Sequence, residues 1–201
     1  MSIFQLMDKT TSKHTKNFKM PPGQKSISQL PPISALEMPD ININKYRLKI
    51  YGLVDKEKVF TYQEILNLPS ITKQFDIHCV DKWSYMGLIF KGVLPKEIFK
   101  CVMIKSNAKF VVVHTVEGYT TELPLDFFLS DNTLLAYKSD GKPLDIAHGY
   151  PFRLVVNGKY AYKDPKWVSA FELTEEDIPG YWEKKGYNHS ADVFKEERFT
   201  K

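Results

Sequence analysis

Hydrophobic and polar positions alternate in short bursts along most of this chain, and the bursts have the length of strands. Tyr46-Arg47-Leu48-Lys49-Ile50-Tyr51-Gly52 alternates cleanly and opens the pattern. In Phe75-Asp76-Ile77-His78-Cys79 the residues Phe75, Ile77 and Cys79 fall on one face of a strand, with Asp76 and His78 on the other. A further stretch runs over 83–93, and strands are predicted at 101–104, 109–116, 133–138, 150–156 and 167–173.

Helical signals are brief. Thr61 caps a short helix over 62–66, with Glu64 at the third helical position completing a capping box and Pro69 ending it. Prolines open a short helix over 95–100 and a helical turn over 123–129. Ser139-Asp140-Gly141-Lys142 reads as a hairpin turn, and Asn157-Gly158 as a tight turn between 150–156 and Lys159-Tyr160-Ala161-Tyr162. Residues 1–45 lack periodicity and carry Pro21-Pro22-Gly23, Pro31-Pro32 and Pro39, which predicts an extended N-terminal arm. The remainder, 46–201, reads as one α+β, mostly-β domain with short helices. Strand–helix units long enough for a doubly wound sheet are missing, as are a Gly-x-Gly-x-x-Gly fingerprint, a phosphate-binding loop and any internal repeat.

Composition narrows the function classes. A chain of 201 residues buries a large core without staples, and its two cysteines, Cys79 and Cys101, show no Cys-x-x-Cys spacing. A reduced thiol pair is expected, and a structural zinc site is not. The short apolar patch at 1–7 lacks the features of a secretory signal, no run is long enough to span a membrane, and a cytoplasmic location is expected. The net charge of +4 is spread over scattered lysines, not a basic stripe with aromatics, so nucleic acid is not an expected partner. Only Arg47, Arg153 and Arg198 are arginine. An arginine inside an apolar strand, such as Arg153, asks for a specific anionic partner.

Cys79 is the most informative residue. It closes a strand pattern beside an imidazole, a placement suited to chemistry, although free cysteine is usually buried and inert. Cys101, in an apolar run, reads as a core residue of a buried strand. His114, mid-strand, reads as a structural histidine, and His14 and His189 as solvated ones. The default for Trp83, Trp167 and Trp182 is packing.

Several segments, in one order, resemble the molybdopterin-binding catalytic domain of the sulfite oxidase superfamily. The resemblance is strongest to the small prokaryotic members that include the methionine-sulfoxide reductase catalytic subunit. It rests on Cys79-Val80-Asp81-Lys82-Trp83-Ser84, on Ser106 to Val111 with Thr115, and on His148-Gly149-Tyr150-Pro151-Phe152-Arg153-Leu154 through Lys159-Tyr160-Ala161-Tyr162-Lys163. Pro179-Gly180-Tyr181-Trp182-Glu183 with Gly186-Tyr187, and Pro21-Pro22-Gly23-Gln24 near the start, complete it. The resemblance implies a sulfite-oxidase-type fold and a molybdenum–molybdopterin cofactor, with Cys79 as the protein's thiolate ligand to the metal. It implies that Thr115 and His148 contact the pterin, that Arg153 with Lys159 and Lys166 receives the cofactor's phosphate, and that Gly23, Gln24 and Asp164 complete the binding set. His78 is a candidate catalytic group facing the open metal position. The implied activity is oxygen-atom transfer on a small sulfite- or sulfoxide-like substrate. An external electron donor or acceptor protein is implied too, because no haem domain is appended.

Two other readings compete. Cys79 could be the nucleophile of a hydrolase or transferase with His114 or His148 as its base, which needs an imidazole within hydrogen-bond reach of the sulfur. The chain could also be a binding module that keeps the fold without turnover.

Overall fold

The computed structural model describes residues 19–200. The part of the arm before Lys19, with its apolar patch and His14, and Lys201 lie outside the described residues. In chain order the strands are β1 (Lys25–Ser26), β2 (Arg47–Gly52), β3 (Lys58–Thr61), β4 (Ser70–His78), β5 (Trp83–Val93) and β6 (Phe110–Thr115). They continue as β7 (Thr120–Pro124), β8 (Thr133–Ser139), β9 (Lys142–Pro143), β10 (Arg153–Val156) and β11 (Val168–Thr174). The helices α1 (Tyr62–Leu66), α2 (Pro95–Phe99) and α3 (Leu125–Phe128) are each about one turn. This is the mostly-β, α+β class that the patterning predicts. No described helix is long and apolar enough to cross a membrane.

Two sheets carry the fold. One runs β1-β5-β8-β10, with β4 on β5 and β9 on β8; the other runs β3-β2-β11-β6-β7. The long β5 is shared: β4 lies antiparallel along it, β8 pairs with its end, and the arm strand β1 pairs parallel with its start at Trp83 and Ser84. The main core lies between the sheets, where Leu48, Ile50, Val111, Val113, Phe171 and Leu173 meet Leu135, Leu154 and Val156. A second core forms on the opposite face of the first sheet, from Phe75, Ile77, Phe90, Leu134, Ala136 and Val155. Residues of β8 alternate between the two cores, so Thr133 to Tyr137 are all buried and the strand reads as a continuous apolar run. The capping box on α1 forms as its sequence predicts: the Thr61 hydroxyl accepts from the Glu64 amide and the Glu64 carboxylate accepts from the Thr61 amide.

Two local expectations are corrected. Cys101 is exposed, and 101–104 is not a strand. The segment is the turn leaving α2: Cys101 Sγ donates to the Ile98 carbonyl, Val102 N to Phe99 O, and Met103 is 70% exposed. Only Ile104 makes an isolated bridge, to Val54. The turn at Asn157-Gly158 forms, but no hairpin follows it. Tyr160 instead bridges to His78, and Lys159 to Asp192 of the C-terminal tail, which carries the chain to the tip of the β4–β5 hairpin.

The tail after β11 returns to the second sheet through a buried ionic cluster. Lys163 Nζ lies 2.8 Å from Glu122 Oε1 on β7 and 2.6 Å from Glu183 Oε1 in the tail, with neither Lys163 nor Glu183 side chain exposed. The Thr121 hydroxyl donates to Glu183 at 2.7 Å, and His189, half-exposed and not simply solvated, bridges Glu122 and Asp177. Burial pushes the Glu122 carboxyl up, and Lys163 opposes that shift. Removing one partner of such a cluster leaves uncompensated buried charge. Lys163→Met is therefore expected to cost about 3–5 kcal/mol, read as a lower urea midpoint; an unchanged midpoint would contradict it.

Candidate active site

Cys79 stands at the first position of the four-residue tip (79–82) that joins β4 to β5. The tip is closed by Cys79 N donating to Trp83 O at 2.8 Å and by Lys82 N donating to Cys79 O at 3.2 Å, with Lys82 in the left-handed region at φ 70°. Because β1 pairs with β5, the arm delivers Gln24 to this tip, and Gln24 Nε2 donates to Cys79 O at 3.1 Å. The amide oxygen of Gln24 accepts from the Ser84 hydroxyl at 3.2 Å. With its one proton so committed, Ser84 Oγ accepts from His78 Nδ1 at 2.7 Å. Burial lowers the His78 pKa, opposed by the Asp76 charge, so the ring is a neutral donor in a structural relay.

Beside the tip opens a cavity of about 370 Å³. Cys79, His148, Arg153, Asp164 and Lys166 line it, as does the arm from Leu30 to Ala35. Gly149 lets its two sides approach: at φ +112° it sits so close that an added Cβ would lie 2.8 Å from Arg153 Cβ. Three of the lining residues carry buried polar atoms with no partner among the described residues, namely Arg153 Nε, Asp164 Oδ2 and Glu117 Oε2. Burial raises the Asp164 and Glu117 carboxyls above the usual carboxylate range and lowers Arg153 below its own. The Lys166 ammonium donates to the Ala147 carbonyl at 2.8 Å; burial and then the neighbouring Arg153 charge bring its pKa down to about 8. Unpartnered buried polar atoms are costly. A cavity wall that holds three of them, with two cations side by side, is built for a polar anionic ligand.

The cavity brings together five of the candidates and leaves others behind its walls. Thr115 is buried and donates to Tyr119 O at 2.9 Å, so it shapes the Glu117–Tyr119 turn without lining the cavity. Lys159 reaches Ser190 and the Phe127 ring and does not line it. Gln24 braces the cysteine tip from behind, and Gly23 lies against Glu196 and Arg198 of the tail. His78 does not face the cavity, contrary to expectation, because the alternation of β4 turns its ring toward Ser84. All three tryptophans line the cavity, and so do Glu117, Tyr119, Tyr162 and Tyr187, which sequence reasoning missed. The polar Thr115-Val116-Glu117-Gly118 turn after an apolar strand was the available signal for Glu117.

The donor set fits a pterin-bound molybdenum cofactor. Cys79 offers a soft sulfur ligand. Burial raises its pKa, with the Asp81 charge acting the same way, while the Asp81 and Val80 amides and the Arg198 charge favour the thiolate that a metal would hold. Arg153 and Lys166 offer a fork and a point charge to a phosphate, and Asp164 and Glu117 offer acceptors, or donors when protonated, to a pterin edge. No imidazole among the described residues hydrogen-bonds Cys79. His114 pairs with Glu172 at 2.8 Å on another strand set, and His148 Nδ1 pairs with Asp145 at 2.8 Å. The nucleophilic-cysteine reading therefore loses its base.

A two-sheet domain with a thiol and two adjacent cations on one cavity is suited to a cofactor that carries both a metal and an anionic group. The chain belongs to the oxidoreductase molybdopterin binding domain family, whose model matches residues 35–182. It is an oxidoreductase that uses a molybdenum–molybdopterin cofactor. It is 35% identical to the uncharacterized oxidoreductase YuiH of Bacillus subtilis (strain 168) over 94% of this chain and 96% of that protein. It is 27% identical to the protein-methionine-sulfoxide reductase catalytic subunit MsrP of Campylobacter jejuni, over 72% of this chain and 54% of that one. The sulfane dehydrogenase SoxCD from Paracoccus pantotrophus shares the fold at TM-score 0.65 and 23% identity, over 70% of this chain and 41% of that one. The chain thus spans about half the length of the last two.

The Lys166 charge is disfavoured in the folded, cofactor-free protein. That cost is fully present below about pH 8 and is relieved as pH rises toward the ordinary lysine value of 10.5. Cofactor-free wild type is expected to gain stability relative to Lys166→Met between about pH 8 and pH 10, read from urea midpoints. A constant difference across that range would contradict it.

Proposed function

We propose that this enzyme reduces a neutral sulfoxide-type substrate, with Cys79 holding the molybdenum and an external protein supplying the electrons. The observation that carries this reading is the division of charge within the cavity. The charges that act on the Cys79 sulfur are Asp81 and Arg198, and of these only Asp81 lines the cavity. The charges that act on Lys166 are Arg153, Glu117 and Asp145. The cavity's cations therefore serve the phosphate end, while Asp81, Trp83, Trp182 and Tyr187 flank the metal end. A sulfite dianion would meet a carboxylate there and no lining cation. A neutral S=O compound with aliphatic substituents would meet aromatic faces. The sulfoxide reductase name of the Campylobacter jejuni relative agrees with this.

The reaction consumes two electrons and two protons per sulfoxide and yields a thioether and water. The bound metal supplies the redox-active centre for oxygen-atom transfer. The protein's own groups do the holding. Arg153 and Lys166 bind the phosphate, Trp83 and Trp182 wall the substrate side, and the Leu30–Ala35 arm segment narrows access for water. Gln24, Ser84 and His78 keep the Cys79 carbonyl fixed so that its sulfur faces inward.

The test is turnover of cofactor-loaded protein. N-acetylmethionine sulfoxide with reduced methyl viologen is expected to give a higher kcat/KM than sulfite with ferricyanide, and the reverse order would overturn the proposal. Arg153→Met should weaken cofactor retention about 10- to 100-fold, the worth of a hydrogen bond to a charged group. Equilibrium release of the pterin, followed by its fluorescence, measures it; unchanged retention would remove Arg153 from the phosphate site.

A further inference from the structure

We propose that Arg198, in the C-terminal tail, is a positioning residue for the cysteine ligand. It holds the Cys79–Lys82 tip in place and lends positive charge to the Cys79 sulfur. The inference rests on the reading of Cys79 as the metal's thiolate. It concerns a part of the chain that the family match, ending at residue 182, does not include.

Arg198 is one of three arginines in a chain that otherwise uses lysine, and it is only 9% exposed. Its Nη1 donates to the Val80 carbonyl at 2.5 Å, one residue beyond the Cys79 carbonyl that Gln24 holds. The two successive carbonyls of the tip are therefore gripped from opposite ends of the chain, by the arm and by the tail. The guanidinium lies over the Tyr160 ring at 4.8 Å, and Tyr160 is the residue that bridges to His78 at the base of the tip. Among the described residues its only close carboxylate is half-exposed Glu196, 3.6 Å from Nη2, and the buried Nη2 has no hydrogen-bond partner there. The positive charge is thus poorly neutralised on its own side and is held at the carbonyl next to Cys79, close enough to act on its sulfur. A planar fork suits these demands: one nitrogen on the carbonyl, the flat face on the phenol ring and the charge spread toward the sulfur. Lysine could keep the charge but not the fork. The tail itself is seated by the Lys163–Glu183 pair and by Ala191 and Val193 packing on Tyr160 and Tyr162. Arg198 is therefore delivered to the tip by structure already anchored elsewhere.

The test compares wild type with Arg198→Gln, Arg198→Lys and Cys79→Ser. In cofactor-free protein, amide hydrogen exchange at 79–82 is expected to speed up at least about tenfold in Arg198→Gln, while Val111, Val113 and Phe171 in the second sheet keep their protection. In cofactor-loaded protein the thiolate-to-metal absorption band should shift in Arg198→Gln and return in Arg198→Lys, whose tip stays loose. A merely structural contact would not yield that rescue. Unchanged tip exchange together with an unchanged band in Arg198→Gln would overturn the proposal. Should that variant not fold, Arg198→Lys decides: tip exchange equal to wild type overturns it, and faster exchange supports it. A band that survives in Cys79→Ser would instead overturn the ligand reading, and the exchange result would still judge the grip on the tip.

Discussion

The cost of burying polar groups without partners organises this molecule. Arg153, Asp164 and Glu117 place unsatisfied atoms on one cavity wall, and each such atom costs roughly 1–3 kcal/mol until something fills its valence. A chain stable enough to carry that deficit must recover it in its core, which explains the two apolar layers on either side of the first sheet. Of these groups Arg153 opens β10, Asp164 is tied to the other end of β10 by the Val156 amide, and Glu117 stands in the turn after β6. In the proposed assignment the cofactor is the missing partner: its phosphate would answer two adjacent cations, and its metal would answer a thiol that burial otherwise keeps protonated.

The cysteine tip shows how secondary structure becomes site geometry. Strand alternation sends His78 to the Ser84–Gln24 relay and leaves Cys79 on the cavity side. The parallel pairing of β1 with β5 makes the arm a working part of the site, and the tail closes the same tip through Arg198. Residues from the first and last sixth of the chain therefore meet within one four-residue turn.

Much of this was legible in the sequence where the signal is local. The capping box at Thr61, the alternation through β2 and β4, and the ordered motifs around Cys79, His148 and Arg153 each depend on neighbours a few residues apart. What was not legible depends on long-range placement. His78 lies next to a cavity-lining cysteine in sequence, but the pleat turns it away. Cys101 has the composition of a strand, yet it falls on the turn leaving α2, where no partner edge is offered. Glu117, Lys163 and Arg198 gain their roles only from segments tens of residues distant: Lys166 for the first, Glu122 and Glu183 for the second, Val80 for the third. No pattern within a window could have paired them.

The central claim is that Cys79 supplies a sulfur to the molybdenum while the rest of the cavity holds the pterin and its phosphate. X-ray absorption at the molybdenum edge, on cofactor-loaded wild type and Cys79→Ser, tests this most directly. The account predicts one fewer sulfur in the first coordination shell of the variant, with the pterin retained. An identical sulfur count in the two proteins would contradict it.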